Sequence, residues 1–183
     1  MMLIILASNY LVQIPFQFLD LENVLTWGAF TYPIAFLVTD LANRVHGINF
    51  TKKVIQIGFV WGIAVSLYFS LSQFNLISLR IVIGSGTAFL LAQLLDANIF
   101  NKLRSHKHWF VPPFLSSIIS SAIDTILFFS IAFYGTDVPW ITLALGDFIV
   151  KIFIAMLMLI PFRLIVKKIN LVQNSFFQRR VDK

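Results

Sequence analysis

Six apolar stretches recur along the chain, and each is long enough to approach or span the hydrocarbon core of a bilayer as a helix. A helix rises about 1.5 Å per residue, so about 20 apolar residues cross about 30 Å of hydrocarbon. The stretches cover approximately residues 3–19, 27–42, 54–71, 79–100, 111–134 and 140–166. The pattern predicts an all-α membrane protein with six transmembrane helices. We expect one transmembrane domain over residues 1–166 and a basic tail over residues 167–183.

The composition agrees with a membrane class and excludes several others. Hydrophobic residues make up 58% of the 183 residues and charged residues only 12%, which leaves too little polar surface for a soluble domain. The chain has no Cys, so it forms no disulfide and no thiolate metal site. The first stretch has no basic start and no small-residue cleavage site, so we interpret it as a membrane segment rather than a cleaved signal.

Basic residues are found on one side of the predicted membrane. They follow the second, fourth and sixth stretches: Arg44, Lys52, Lys53, Lys102, Arg104, Lys107, Lys167, Lys168, Arg179, Arg180 and Lys183. The other connections contain Asp20, Glu22 and Asp137 but no basic residue. The positive-inside rule therefore predicts that both termini are cytoplasmic. This sidedness explains the net charge of +6 as an attraction to the lipid bilayer, without a nucleic-acid partner.

Six ionisable residues lie within or at the edges of the apolar stretches. They are Asp40, Asp96, Asp124, Asp147, Arg80 and Lys151. A charge at the bilayer centre costs about 2.5–3.5 kcal/mol on insertion scales, so such residues are kept mainly where they pair, line a cavity or bind a polar solute. The helical rise places Asp124, Asp147 and Lys151 at one level, and Asp40 with Asp96 at a second level near the cytoplasm.

Spacing indicates which polar residues share a helix face. Asp147 and Lys151 are four residues apart, as are Asn9 and Gln13, while Gln93 and Asp96 are three apart. Several helices thus present polar stripes, and one shared polar cavity would satisfy all of them.

Structural interpretations of these charges remain open. Asp147 and Lys151 are also consistent with an ion pair that serves only the structure. Asp40 is also consistent with an ion pair to Arg44 at the inner interface, and the Arg80 side chain with one that extends to the outer interface.

No enzyme signature is present. The chain lacks a phosphate-binding Gly-rich loop with Lys, an HExxH motif and a GxSxG motif, so we predict no catalytic residue, no cofactor and no metal site. We interpret Gly58, Gly62 and Gly84 as positions where helices pack closely.

The ordered motifs resemble those of a known family. They are Ser8 to Gln13, Phe30 to Ile34 followed by Thr39 and Asp40, Gln93 to Asp96, Asp124 with Thr125, and Asp147 with Lys151. Together they resemble the bacterial queuosine precursor transporters, a family also known as the putative vitamin uptake transporters. The resemblance extends over nearly the whole chain. One departure is Ser120 and Ser121, where members of the family often have Gly and Asn.

The resemblance implies an inner-membrane importer of 7-deazaguanines, either 7-cyano-7-deazaguanine or its 7-aminomethyl counterpart, by facilitated or proton-coupled transport. It also implies a fold similar to the substrate-binding subunits of energy-coupling-factor vitamin transporters. Two alternatives stay open: such a subunit working with an ATPase module, and a membrane scaffold that transports nothing. The chain is expected to act as a monomer or a homo-oligomer.

We predict a substrate site in which a carboxylate accepts the N–H donors of the solute. The predicted substrate-binding residues are Asn9, Gln13, Arg80, Gln93, Asp96, Asp124, Asp147 and Lys151. Thr39, Asp40 and Arg44 are predicted to act in gating or coupling.

Overall fold

The structure, a computed structural model, describes residues 1–18, 24–72 and 76–181. At residues 70–72, 76, 170 and 172–181 it describes the backbone only. Six helices are present in these ranges. They are α1 (Met2–Leu11), α2 (Gly28–His46), α3 (Ile48–Ser72), α4 (Leu76–Leu103), α5 (Val111–Phe133) and α6 (Trp140–Val181). No strand occurs in the same ranges, where Pro15 and Thr26 form an isolated bridge. The predicted all-α class is confirmed.

Helix α1 is shorter than the first predicted stretch. Helix α1 has 10 residues, which corresponds to about 15 Å, half of a bilayer core. After it the chain turns, with the amides of Gln13 and Ile14 bonded to the carbonyls of Tyr10 and Leu11. Pro15 has no amide hydrogen and cannot continue a helix through this turn. Asp20 and Glu22, on which the predicted sidedness partly depends, lie outside the described residues.

Four of the described helices, α3 to α6, are long and apolar enough to cross a membrane. Helix α2 has 19 residues, about 28 Å, but buries polar side chains along one face, among them Thr39 and Asn43. Large apolar side chains are exposed outward, for example Trp61 on α3 and Ile149 on α6. Such apolar exteriors belong in lipid rather than in water, so the protein is a multi-pass membrane protein.

Small residues allow the helices to approach closely, as predicted. A side chain at Gly62 of α3 would collide with Ile5 of α1, and one at Gly84 of α4 would lie 3.3 Å from the backbone of Ala132 in α5. Helix α2 contacts each of the other helices, so its polar face lies at the centre of the bundle. Helix α6 continues without a break through residue 166, and the domain boundary predicted there stays a prediction.

Candidate substrate-binding site

A buried ion cluster connects α5 to α6. Lys151 Nζ lies 2.7 Å from Asp124 Oδ2 and 2.6 Å from Asp147 Oδ2. Asp124 comes from α5, whereas Asp147 and Lys151 lie one turn apart on α6. All three residues are at most 5% exposed. The structure therefore brings these charges to one level, as their predicted depths require.

Thr125 completes the cluster. Its hydroxyl donates a hydrogen bond to Asp147 Oδ2 at 2.8 Å and lies 3.1 Å from Lys151 Nζ, which donates to it. Thr125 was absent from the predicted site, although its position next to Asp124 was a signal that could have found it. Asp147 Oδ2 thus has two polar partners, the Thr125 hydroxyl and Lys151 Nζ, while Asp124 Oδ2 has one, Lys151 Nζ.

The cluster contains two carboxylates and one ammonium. In the described part of the chain no other Lys, Arg or His nitrogen lies within 4.0 Å of either carboxylate. An unpaired buried carboxylate is costly in a low-dielectric interior, and it is retained mainly where it serves a function. The cluster is thus suited to accept a positively charged or hydrogen-bond-donating group.

Tyr32 connects this cluster to polar groups on α1 and α3. Lys151 Nζ lies 5.3 Å from the centroid of the Tyr32 ring, a cation–π distance. The Tyr32 hydroxyl donates to Asn9 Oδ1 at 3.3 Å, and Asn9 Nδ2 donates to Ser66 Oγ at 2.9 Å. A polar path therefore runs from α1 and α3 to the ion cluster.

Two cavities meet beside this path. One, of about 370 Å³, is lined by polar residues that include Asn9, Gln13, Ser66 and Ser78. The other, of about 330 Å³, is lined by Gln13 and Ser78 again, together with aromatic residues of α5 such as Phe129. None of the three charged residues lines either cavity. These two cavities lie beside a closed cluster, and the single shared cavity predicted from the sequence stays a prediction.

A second polar layer, formed by side chains of α2, α4 and α5, lies below the cluster. The Thr39 hydroxyl bonds to Gln93 Oε1 and also donates to the carbonyl of Ala35 at 2.9 Å. Asp40 faces Asp96 of α4, and Ser116 of α5 donates to Asp40 Oδ1 at 3.5 Å. Ser116 and Asp124 are eight residues apart, so the layers are separated by about 12 Å along α5.

Two predicted cations lie outside both layers. Arg80 donates to the carbonyls of Ile131 at 3.1 Å and Tyr134 at 2.7 Å, at the end of α5. Ile131 is about 10 Å along α5 from Asp124. Arg44 donates to the Arg104 carbonyl at 3.1 Å rather than to Asp40. The structure does not bring Arg80 to the cluster or Arg44 to Asp40.

Within the described ranges, no group of three or more His, Cys, Asp or Glu side chains is arranged to hold a metal ion.

Comparison with known proteins decides the family. Residues 26–166, which include the whole ion cluster, match the family model described as "Putative vitamin uptake transporter". The chain belongs to this family. Because it is a family of transporters, this member is a transporter-family protein and not an enzyme.

Two curated relatives of this family member are similar over most of their length. "Probable queuosine precursor transporter" of Haemophilus influenzae is 37% identical over 186 residues, which cover 86% of this chain and 79% of the relative. "Queuosine precursor transporter" of Escherichia coli is 32% identical over 200 residues, covering 100% and 87% of the two chains. No solved structure matches the chain, so the similarity to energy-coupling-factor subunits stays a prediction.

Proposed function

We propose that this protein imports queuosine precursors across the bacterial inner membrane, with both termini in the cytoplasm. The proposed solutes are 7-cyano-7-deazaguanine and 7-aminomethyl-7-deazaguanine. The names of the two relatives and the family match support this proposal. The polar cluster buried among apolar helices supports a role in moving a polar solute.

The observation on which the proposed site rests is the excess of carboxylate in the ion cluster. A deazaguanine is planar and has adjacent N–H donors on its pyrimidine edge, which one carboxylate accepts side by side. Asp124 has fewer polar partners within the cluster than Asp147, so we assign the donor edge to Asp124. Lys151, released in part from Asp124, then faces the ring carbonyl.

The two cavities give the solute a route to this site. Gln13 and Ser78 line both cavities, and the Ser78 hydroxyl lies 3.5 Å from Gln13 Oε1. Asn9 lines the larger cavity and accepts a hydrogen bond from Tyr32. Tyr32 therefore lies between the route and the cluster, where its ring is placed to stack on a planar base. Binding requires Tyr32 and Lys151 to move, because the cluster is closed.

Uptake by membrane vesicles tests this site. Asp124→Asn keeps the shape of the side chain and removes the charge, and we expect uptake of labelled 7-cyano-7-deazaguanine to fall about tenfold or more. Asp137→Asn is the matched control, because Asp137 is exposed in the connection after α5. Undiminished uptake by Asp124→Asn would remove Asp124 from the mechanism, and no uptake by the native protein would overturn the proposed substrate.

The alternative of a subunit that docks on an ATPase module is less well supported. The small-residue stripe suited to such docking is Gly84, Ala88 and Ala92 on α4. Gly84 packs against the α5 backbone, and Ala88 and Ala92 are at most 1% exposed. The stripe is therefore already buried within the chain. Stoichiometric copurification of an ATPase module would favour the alternative nevertheless.

A further inference from the structure

A pair of buried carboxyl groups lies below the ion cluster. Asp40 on α2 is 2% exposed and Asp96 on α4 is 0% exposed. Thr39 of α2 bonds to Gln93 of α4, and Asn43 donates to the Ala97 carbonyl, so Asp40 and Asp96 are held beside each other. Ser116 of α5 donates to Asp40 Oδ1 at 3.5 Å. Three helices thus enclose two acidic groups at one point.

Neither oxygen of Asp96 has a hydrogen-bond partner among the described residues. Two carboxylates carry only acceptors, so a hydrogen bond between them requires a proton on one of them. Ionising both at close range in a low-dielectric interior is strongly unfavourable. A bound proton removes one charge and supplies the O–H donor that an Asp96 oxygen lacks.

The cations on the surrounding helices are directed elsewhere. Arg44 and Arg104, on α2 and just after α4, donate to each other's backbone carbonyls. Lys151 of α6 is held by Asp124 and Asp147, and Arg163 lies 4.8 Å from the Trp109 ring.

The other facing elements supply no charge to the pair either. Lys52 and Lys53 of α3 are not buried, and α5 contributes the hydroxyls of Ser116 and Ser117. No Lys, Arg or His nitrogen lies within 4.0 Å of either carboxyl in the part of the chain that the structure describes.

We propose that Asp40 and Asp96 form a binding site for one proton, and that this proton moves with the solute during import. The second half of this proposal rests on the proposed function. The first half depends only on the geometry of the pair.

The surroundings of the pair offer a proton a path in both directions. A space of about 10 Å³ beside Asp40, about the size of one water molecule, is bordered by Ser117, Ser121 and Phe162. Phe162 borders both this space and a basic cavity of about 390 Å³ at the proposed cytoplasmic end. On the other side, Ser117, Ser120 and Ser121 form a buried hydroxyl row on α5 that leads toward Asp124. Ser120 Oγ has no hydrogen-bond partner among the described residues, as expected for a group that bonds to a transient donor or water.

Infrared spectroscopy of the purified full-length protein tests the proton site without any solute. A protonated carboxyl gives a C=O stretching band separate from the bands of carboxylate and amide. We expect Asp40→Asn and Asp96→Asn each to lose one such band at neutral pH, and Asp137→Asn to keep it. Both variants are isosteric, and their melting temperatures verify folding. Retention of the band in both folded variants would overturn the proton site.

Vesicle transport tests the coupling. With native protein, an inward proton gradient should increase the accumulation of 7-cyano-7-deazaguanine. In folded Asp40→Asn this increase should fall about tenfold, while exchange of internal for external solute continues. Proton coupling would be overturned if solute accumulation increased with a sodium gradient instead, or if it did not change with the proton gradient. Absence of any uptake by native protein would count against the proposed function, and the infrared result would still decide the proton site.

Discussion

Lys151 on α6 binds Asp124 on α5 at 2.7 Å, and both residues are 2% exposed. The contact joins two helices through residues that are 27 positions apart in the sequence. Removing two charges from water is expensive, and their mutual attraction repays this cost only partly. A contact of this kind is weak evidence for stability alone, which is one reason for assigning the cluster a role in binding the solute.

Replacing Lys151 should destabilise the protein. Lys151→Met leaves Asp124 and Asp147 facing each other without a cation, and breaking a buried pair in this way costs about 3–5 kcal/mol. The expected result is a clear drop in melting temperature in detergent, which ligand-free thermal unfolding measures. An unchanged melting temperature would mean that the carboxylates gain another partner.

A neutralised cluster separates stability from transport. The triple variant Asp124→Asn, Asp147→Asn and Lys151→Met leaves no charge buried in the cluster. The double variant Asp147→Leu with Lys151→Leu leaves one unpaired carboxylate, Asp124, whereas Lys151→Met leaves two. We expect both variants to recover stability relative to Lys151→Met but to transport no 7-deazaguanine. A protein whose charges serve only to align helices in a scaffold would keep full function in both variants.

Arg80 should contribute to stability and not to solute affinity. Its guanidinium bonds the carbonyls of Ile131 and Tyr134, which lie at the end of α5 and otherwise lack intrahelical donors. Arg80→Gln should lower the free energy of unfolding by about 1–3 kcal/mol, because charge-assisted hydrogen bonds are lost. The concentration dependence of uptake by the folded fraction should stay unchanged. A markedly raised KM would instead place Arg80 in contact with the solute.

Close packing of α4 on α5 should be required for the site. A side chain at Gly84 meets the backbone of Ala132 and Phe128 at 3.3 Å, and backbone atoms cannot rotate away. Gly84→Val should therefore push α5 outward, with a loss of about 1–3 kcal/mol and a fall in uptake, because α5 holds Asp124. Gly86→Ala is the control, since its new methyl group meets the end of the flexible Ile63 side chain. Equal loss in both variants would contradict this reasoning.

Cysteine labelling tests the proposed orientation directly, because the chain has no native Cys. Asp137 and His106 are both exposed and lie at opposite ends of α5. In intact cells, a membrane-impermeant maleimide applied from the periplasmic side should label Asp137→Cys. It should label His106→Cys only after the inner membrane is opened. The reverse pattern would invert the topology predicted from the basic residues.

The sequence was sufficient to predict that this is a membrane protein and at what depth along its helix each charged residue lies. Long apolar stretches have few alternatives to bilayer helices, and a fixed rise per residue converts position into depth. The structure agrees, because Lys151 contacts both Asp124 and Asp147, which were predicted to lie at the same depth. The same reasoning did not predict where the first helix ends, because hydropathy alone did not reveal the turn before Pro15.

Contacts between helices could not be read from depth, because they depend on how each helix is rotated about its axis. That rotation turned Arg80 toward the end of α5, directed Arg44 to a carbonyl, and placed Thr125 and Tyr32 beside Lys151. It also set Asp96 beside Asp40, with no hydrogen-bond donor to either Asp96 oxygen among the described residues. The sequence by itself thus determined which groups are buried in the membrane and at what depth. Only the tertiary structure decided which of them are partners, since side-chain contacts form over a few ångströms and depend on the packing of all the helices together.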